Sequence, residues 1–393
     1  MVKRIVRILI RTVIGIVGFF VWVFAFSNLP TRIYRFPEAR PFTGDHFYNP
    51  YDGLTEGGWK IGNFHAHAHA WGGVTHGYDS REDIIRKYQA FHYDIINISD
   101  YMKIPEAPDP GTLLRVYEHG VNIGKHHQVV INPSEVNGLE FPLWQHIHNK
   151  QTMISSLKED TGCVVALAHP SFSVGYSVEE LQKISGYDMM EVLNHRAYSL
   201  SRWDAALSSG HPAWILADDD MHEIADSAYL ARNATLVYAP DLKASSIVNA
   251  LRTGKTIGVE IYTSFDEPLM TKTSRIDSME RITGVQLQHD TLKIGWTKPA
   301  SHVTFIGQNG DTLFQTKDGL KAAYGIRPED TYVRTEITFE SGNRFFLNPI
   351  IRTKGGSPPV PRVEERVALT WIYRFLMFLI VLTPLGWWWR KRR

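Results

Sequence analysis

Gly62-Asn63-Phe64-His65-Ala66-His67 decides how this chain is read: a short apolar run stops on two histidines two residues apart. On a strand, side chains two apart point the same way, so both imidazoles can reach one metal ion. The pattern returns where Trp214-Ile215-Leu216-Ala217 opens onto Asp218, Asp219, Asp220 and His222. Between these two, other apolar runs finish in like fashion. Ile95-Ile96-Asn97-Ile98 stops at Ser99-Asp100-Tyr101, Val129-Val130-Ile131-Asn132 just before Glu135, Val164 to Ala168 at His169-Pro170, and Met189-Met190-Glu191-Val192 before His195. With Ala234 to Tyr238 these make seven runs that read as buried strands. When parallel strands of one barrel or sheet all end in such groups, the groups gather on one face, where metals and ligands bind.

Helical patterns alternate with the runs. Ser80 with Asp83 marks a capped start before Ile84, Ile85, Tyr88 and Phe91, and Ser177 with Glu180 does the same before Leu181 and Ile184. Repeated β-then-α units imply parallel strands, and seven in this length imply a barrel over residues 58–265. From 270 to 353 the pattern becomes alternation without helices, in runs such as Leu292 to Trp296 and Tyr332 to Thr338 separated by turns, which predicts a small antiparallel sandwich.

Composition narrows the function. The net charge is +1 and no basic stripe crosses the middle of the chain, so no nucleic-acid partner is expected. A single cysteine, Cys163, excludes an internal disulfide and sits in an apolar run that reads as core. Fourteen of the seventeen histidines fall between His65 and His222, which confines the ionisable chemistry to the barrel.

Both ends read as membrane segments. Residues 1–28 carry Lys3, Arg4, Arg7 and Arg11 before an apolar stretch close to the roughly 20 residues that span a bilayer, with a cleaved leader as the competing reading. Residues 367–389 are apolar except for Arg374, end in Trp387, Trp388 and Trp389, and precede the basic tail 390–393; a helix lying on the membrane is the alternative. The positive-inside tendency puts both termini in the cytoplasm and the domain between them outside it. A Pro-rich connector, 29–57, and a Gly-Pro linker, 354–366, join these ends to the domain.

The order HAH at 65, ISD at 98, SEVNG with Glu135, LAHPS with His169 and DDDMH with Asp220 and His222 resembles the PHP (polymerase and histidinol phosphatase) superfamily, and Tyr332-Val333-Arg334 with Asn348-Pro349-Ile350 resembles the closing sandwich of its carbaryl-hydrolase-like branch. The resemblance covers about residues 58–353. It implies a distorted (β/α)7 PHP-type barrel in which His65, His67, Glu135 and Asp220 hold one metal and Glu135 bridges to a second. His169 holds that second metal, with His146 (alternate His148), and His222 faces this pair or a third ion. Two departures stand out: Tyr101 occupies the place of a family histidine, and Gly72 and Gly73 the place of a ligand for which His69 and His76 are substitutes.

Two or three divalent ions, Zn, Mn or Fe, are the cofactors this donor set suits. The expected activity is phosphoester hydrolysis of a small-molecule or phosphoester substrate, with carbamate or amide hydrolysis, or a degenerate binding module, as alternatives. Tyr101, His195 and Arg196 are the candidates for substrate contact or acid catalysis, an arginine pairing with phosphate and a histidine protonating a leaving group. Asp218, Asp219, Asn63 and Asp100 are expected to orient neighbours, and His92, His119, His126, His127 and His211 to be solvated surface.

Overall fold

The structure, a computed structural model, describes residues 2–55, 57–106, 114–264 and 268–391. Helix α1 (Val2–Ser27) precedes a mixed α/β body. Strands β1 (Trp59–Asn63), β2 (Ile95–Ile96), β3 (Val116–His119), β4 (Gln128–Ile131), β5 (Val164–Leu167), β6 (Met189–Asn194) and β7 (Trp214–Asp218) follow in order. Helices α2 (Arg81–Ala90), α3 (Ile147–Leu157), α4 (Val178–Leu181) and α5 (Leu200–Ser208) lie between them. The Ser80 hydroxyl accepts from Asp83 N to start α2, and Ser177 with Glu180 closes a reciprocal capping box on α4.

The strands curl into a ring. β1 pairs parallel with β2, and β5, β6 and β7 pair parallel in series. Two isolated parallel bridges, Ala66 with Met221 and Tyr101 with Glu118, tie the end of β1 to the end of β7 and the end of β2 to β3. The ring departs from a uniform (β/α)7 barrel in two ways. β4 runs antiparallel to both β3 and β5. The Ala234–Tyr238 run, counted above as a seventh parallel strand, instead forms β8 (Asn233–Tyr238), which lies antiparallel against β1. Its place in the ring is taken by β3, whose Val-Tyr-Glu-His run has no continuous apolar signature.

After α6 (Ala244–Arg252), β9 (Thr256–Glu260) pairs antiparallel with β8. A Cβ on Gly258 would stand 2.6 Å from Ile215 Cδ1, so glycine lets β9 lie close against β7. Helix α7 (Leu269–Asp277) leads to β10 (Ile282–Gln288), β11 (Thr291–Ile306), β12 (Thr312–Thr316), β13 (Gly319–Gly325), β14 (Tyr332–Phe339) and β15 (Arg344–Thr353). The antiparallel strands β10 to β15, expected as a separate small sandwich, belong to one sheet with the strands of the body. β15 pairs with β9, Leu347 opposite Ile257, so one sheet runs from β10 through to β2. Arg334 of β14 also reaches Asp204 of α5 through Nε and Nη2, at 2.7 and 2.8 Å, and stands over the Trp203 ring. This fork couples β14 to the helix that follows β6.

At the ends, α1 lies beside α8 (Val367–Lys391). Trp22 Nε1 donates to the Val381 carbonyl, Tyr373 to Asn28 Oδ1, and Arg374 to the carbonyls of Pro30 and Thr31. By length and composition Lys3–Ser27 is long and apolar enough to cross a membrane, while Val367–Thr383 is a shorter apolar helix among the described residues. The side chains of Trp387, Trp388 and Trp389, and Arg392 and Arg393 altogether, lie outside the described residues.

Candidate metal centre

β1 delivers His65 and His67 to the mouth of the ring, both fully buried. Their Nε2 atoms stand 3.2 Å apart. Glu118 Oε2, from β3, lies 3.3 Å from His65 Nε2 and 3.1 Å from His67 Nε2. Asp220 Oδ1 lies 3.3 Å from each. Ligands 2.0–2.1 Å from a tetrahedral ion stand about 3.3 Å from one another, so the two imidazole nitrogens have that spacing with Glu118 and, separately, with Asp220. Among the described residues Glu118 Oε2 and Asp220 Oδ1 are buried and accept no well-formed hydrogen bond, which leaves two carboxylate oxygens with imidazole nitrogens as their polar neighbours. The residues present therefore fit a divalent cation.

The other oxygen of Glu118 faces a second group: Oε1 is 2.6 Å from His127 Nδ1 and 3.1 Å from His169 Nε2. Glu118 thus spans two subsites. A third group, His67, Asp220 and His222, overlaps the first. There His222 Nδ1 is engaged by the Asp220 carbonyl at 2.8 Å, leaving Nε2 as the free donor.

The structure brings His65, His67, His169, Asp220 and His222 together, but not Glu135 or His146. Glu135 is exposed beyond the far end of β4, beside Ser134, which is bonded to Asp160. His146 caps α3, accepting from His148 N, and His148 Nδ1 accepts from Tyr34 N. The cause is the direction of β4. Because it runs against its neighbours, its C-terminal end, and Glu135 with it, points away from the mouth, while its N-terminal end brings His127 in. Glu118 and His127 thus stand where Glu135 and His146 are expected. The one signal for them in the sequence is a carboxylate and a histidine flanking a short hairpin, Glu118 before Gly120 and His127 before Gln128-Val129-Val130. His119, His126 and His211 are likewise buried, not solvated, and only His92 is exposed, paired with Asp277. His69 and His76 are exposed and belong to no ligand cluster among the described residues.

The surrounding groups fix the ligands. Glu191 Oε1 meets His65 Nδ1 at 3.0 Å and its Oε2 accepts from His169 N at 2.6 Å, so one carboxylate aims a ligand from each subsite. Asp218 accepts from Phe64 N, and Asp219 accepts from Tyr88 Oη and the amides of Ala231, Arg232 and Asn233. Asn63 joins the His65 carbonyl to Asp219 N, and Asp100 accepts from Ala68 N. His169 and Asp220 have φ of 28° and 50°, a left-handed strain held by these bonds.

Burial opposes charge on Glu118, yet His127 and His65 outweigh it and hold the carboxyl well below its ordinary range; His65 does the same for Asp220. Burial likewise opposes charge on His65, but Asp220, Glu191 and Glu118 hold its imidazole well above the usual value. Without a metal ion, protons on imidazole balance the carboxylates, and a cation would displace them. His222, by contrast, is pushed down to about 4 by burial and by His67.

Three expected contact residues rim the cluster. The Tyr101 ring stacks on His67 at 4.5 Å, and burial with Glu118 and Asp220 nearby pushes its hydroxyl up. Arg196 is partly exposed, with Nε 3.8 Å from Asp220 Oδ2 and Nη2 3.5 Å from His222 Nδ1. His195 Nδ1 bonds the Asp219 carbonyl, and its ring packs on Tyr229.

The chain matches no protein-family profile and no curated protein in sequence. Among solved structures it resembles a two-domain protein from Bacteroides vulgatus containing a predicted PHP-like metal-dependent phosphoesterase, with a TM-score of 0.40 and 14% identity over 84% of this chain and 98% of that one. At that score the likeness bears no weight; the chemistry rests on the buried His, Glu and Asp clusters.

Proposed function

We propose that this protein is a membrane-anchored metal-dependent hydrolase acting on phosphoesters. The observation that carries the reading is the convergence of His65 and His67 on Glu118 and on Asp220 at ligand spacing, with two buried carboxylate oxygens that accept no well-formed hydrogen bond among the described residues. When bound, a pair of divalent ions supplies a water acidic enough to deprotonate near neutral pH and polarises the ester. Zn, Mn or Fe suits the mixture of imidazole and carboxylate. Around them, the chain's own groups bind and orient. Arg196 lies at the open side of the cluster, where its guanidinium suits two phosphate oxygens. Tyr101, kept protonated, offers a donor to the substrate, and His195, kept neutral by burial, is a base that can take up the proton released by the attacking water and return it to the leaving oxygen.

The same reading places α1 and α8 across a bilayer as a hairpin, with the domain outside the cytoplasm and both basic ends inside. The bond from Trp22 to Val381 supports a retained α1 over a removed leader. Arg374 sits where α1 ends and turns toward Pro30 and Thr31, so its charge is met at the interface and not within the hydrocarbon.

Metal analysis of the purified full chain, followed by assays on aryl phosphates, phosphodiesters and aryl carbamates, tests the proposal. Two metals per chain and phosphoester turnover that stops on chelation are expected. Turnover of carbamates alone would replace the substrate class, and fewer than one metal per chain would leave a binding module.

A further inference from the structure

The loops that carry the candidate metal ligands also carry large apolar side chains that stand exposed among the described residues. Val121 and Ile123 lie between Glu118 and His127, and Val174 follows His169 by five residues; each is more than half exposed. Trp144, at 68% exposure, joins them because Ile123 N bonds the Pro142 carbonyl. This patch adjoins the foot of the helical hairpin. Asn149 of α3 donates to Asn28 and Thr31 at the end of α1, and the next residue, Lys150, donates to the Gly175 carbonyl beside Val174. His146, two residues after Trp144, packs its ring on Tyr373 of α8. The side chains of α1 are themselves mostly exposed, so two exposed apolar surfaces, that of the hairpin and that of the rim, are linked through α3.

We propose that this rim lies in the headgroup layer of the bilayer that the hairpin crosses, and that the site takes the phosphoester headgroup of a membrane lipid. Apolar and aromatic residues on a loop beside a transmembrane anchor partition to that layer, and Trp does so most readily. The substrate half of the inference rests on the phosphoester reading above. In that step the water oxygen bonds phosphorus, the bond from phosphorus to the lipid alcohol oxygen breaks, and the alcohol oxygen takes up a proton.

Two measurements on the full chain in vesicles of phosphatidylethanolamine and phosphatidylglycerol test it. Spin labels at Ile123→Cys and Val174→Cys should be relaxed more by oxygen than by a water-soluble nickel chelate, whereas a label at the exposed Met270→Cys on α7 should show the reverse. Cys163 is buried and leaves the labelling clean. Equal behaviour of all three labels would overturn the docking. In the second, phosphatidic acid is offered in a water-soluble short-chain form and in a bilayer-resident long-chain form. The variant V121S/I123S/W144S/V174S should lose about tenfold on the long-chain form and keep its rate on the short one. Equal loss on both, or none on either, would refute the rim's role. Turnover of aryl phosphate with neither lipid cleaved would remove the lipid substrate and leave the hydrolase. No turnover of any ester would remove the hydrolase, and the labels would still decide the docking.

Discussion

Replacing Glu118 by Gln separates the two carboxylates that compete for the bridging role. Oε2 of Glu118 sits 3.3 and 3.1 Å from the ligand nitrogens of His65 and His67, and Oε1 sits 2.6 and 3.1 Å from those of His127 and His169. One substitution therefore weakens both subsites. Loss of a group that only orients a ligand costs about 10- to 100-fold in affinity, so a bridging ligand should reach at least the upper end at each subsite, about 2.7 kcal/mol apiece. Glu135→Gln changes an exposed side chain outside the cluster and should alter stability by less than about 0.5 kcal/mol, with metal content unchanged. Metal content after equilibrium dialysis against graded chelator, measured by elemental mass spectrometry, reads both variants. Retention of two metals by Glu118→Gln together with loss in Glu135→Gln would refute the assignment, and with it the direction of β4.

Removing the Tyr88 hydroxyl (Tyr88→Phe) takes a 2.6 Å bond from the buried Asp219 carboxylate; about 1.5–3 kcal/mol of stability should be lost in chemical denaturation, with weaker metal binding because Asp219 anchors the turn bearing Asp220. Arg334→Ala leaves Asp204 without its fork, and about 3–5 kcal/mol should disappear from the unfolding free energy; a change below 1 kcal/mol would mean that the ion pair does not couple β14 to α5. Burial pushes His211 down to about 4. Against an unfolded value of about 6.5 the unfolded chain binds the extra proton between those values, so stability should fall as pH drops from about 6.5 to 4, by at most about 3 kcal/mol, and His211→Phe should flatten that part of the profile.

Much of the centre was legible before any coordinates. The two-residue spacing of His65 and His67 and the Asp-Asp-Asp-Met-His run are local patterns, and local geometry alone decides that the two imidazoles share a direction. The separate duties of the three aspartates follow from burial: only Asp220 faces the imidazoles, while Asp218 and Asp219 meet backbone amides. Glu118 and His127 were hidden because the apolar runs were taken to be parallel strands whose ligands sit at C-terminal ends. Glu118 lies on a four-residue strand with no apolar run to betray it, and His127 stands at the start of an apolar run, where no ligand is expected.

The chain's own order of residues determined where α2 and α4 begin, that the N-terminal segment is apolar enough to cross a membrane, and that histidine and carboxylate follow the apolar runs, because capping, periodicity and hydropathy act over a few residues. Strand direction and partnership were decided only in three dimensions. Whether β4 runs with or against β3, and whether β15 joins β9, depend on hydrogen bonds and burial between segments far apart in sequence. Those long-range pairings, and not the residue types, brought Glu118 rather than Glu135 in among the histidines.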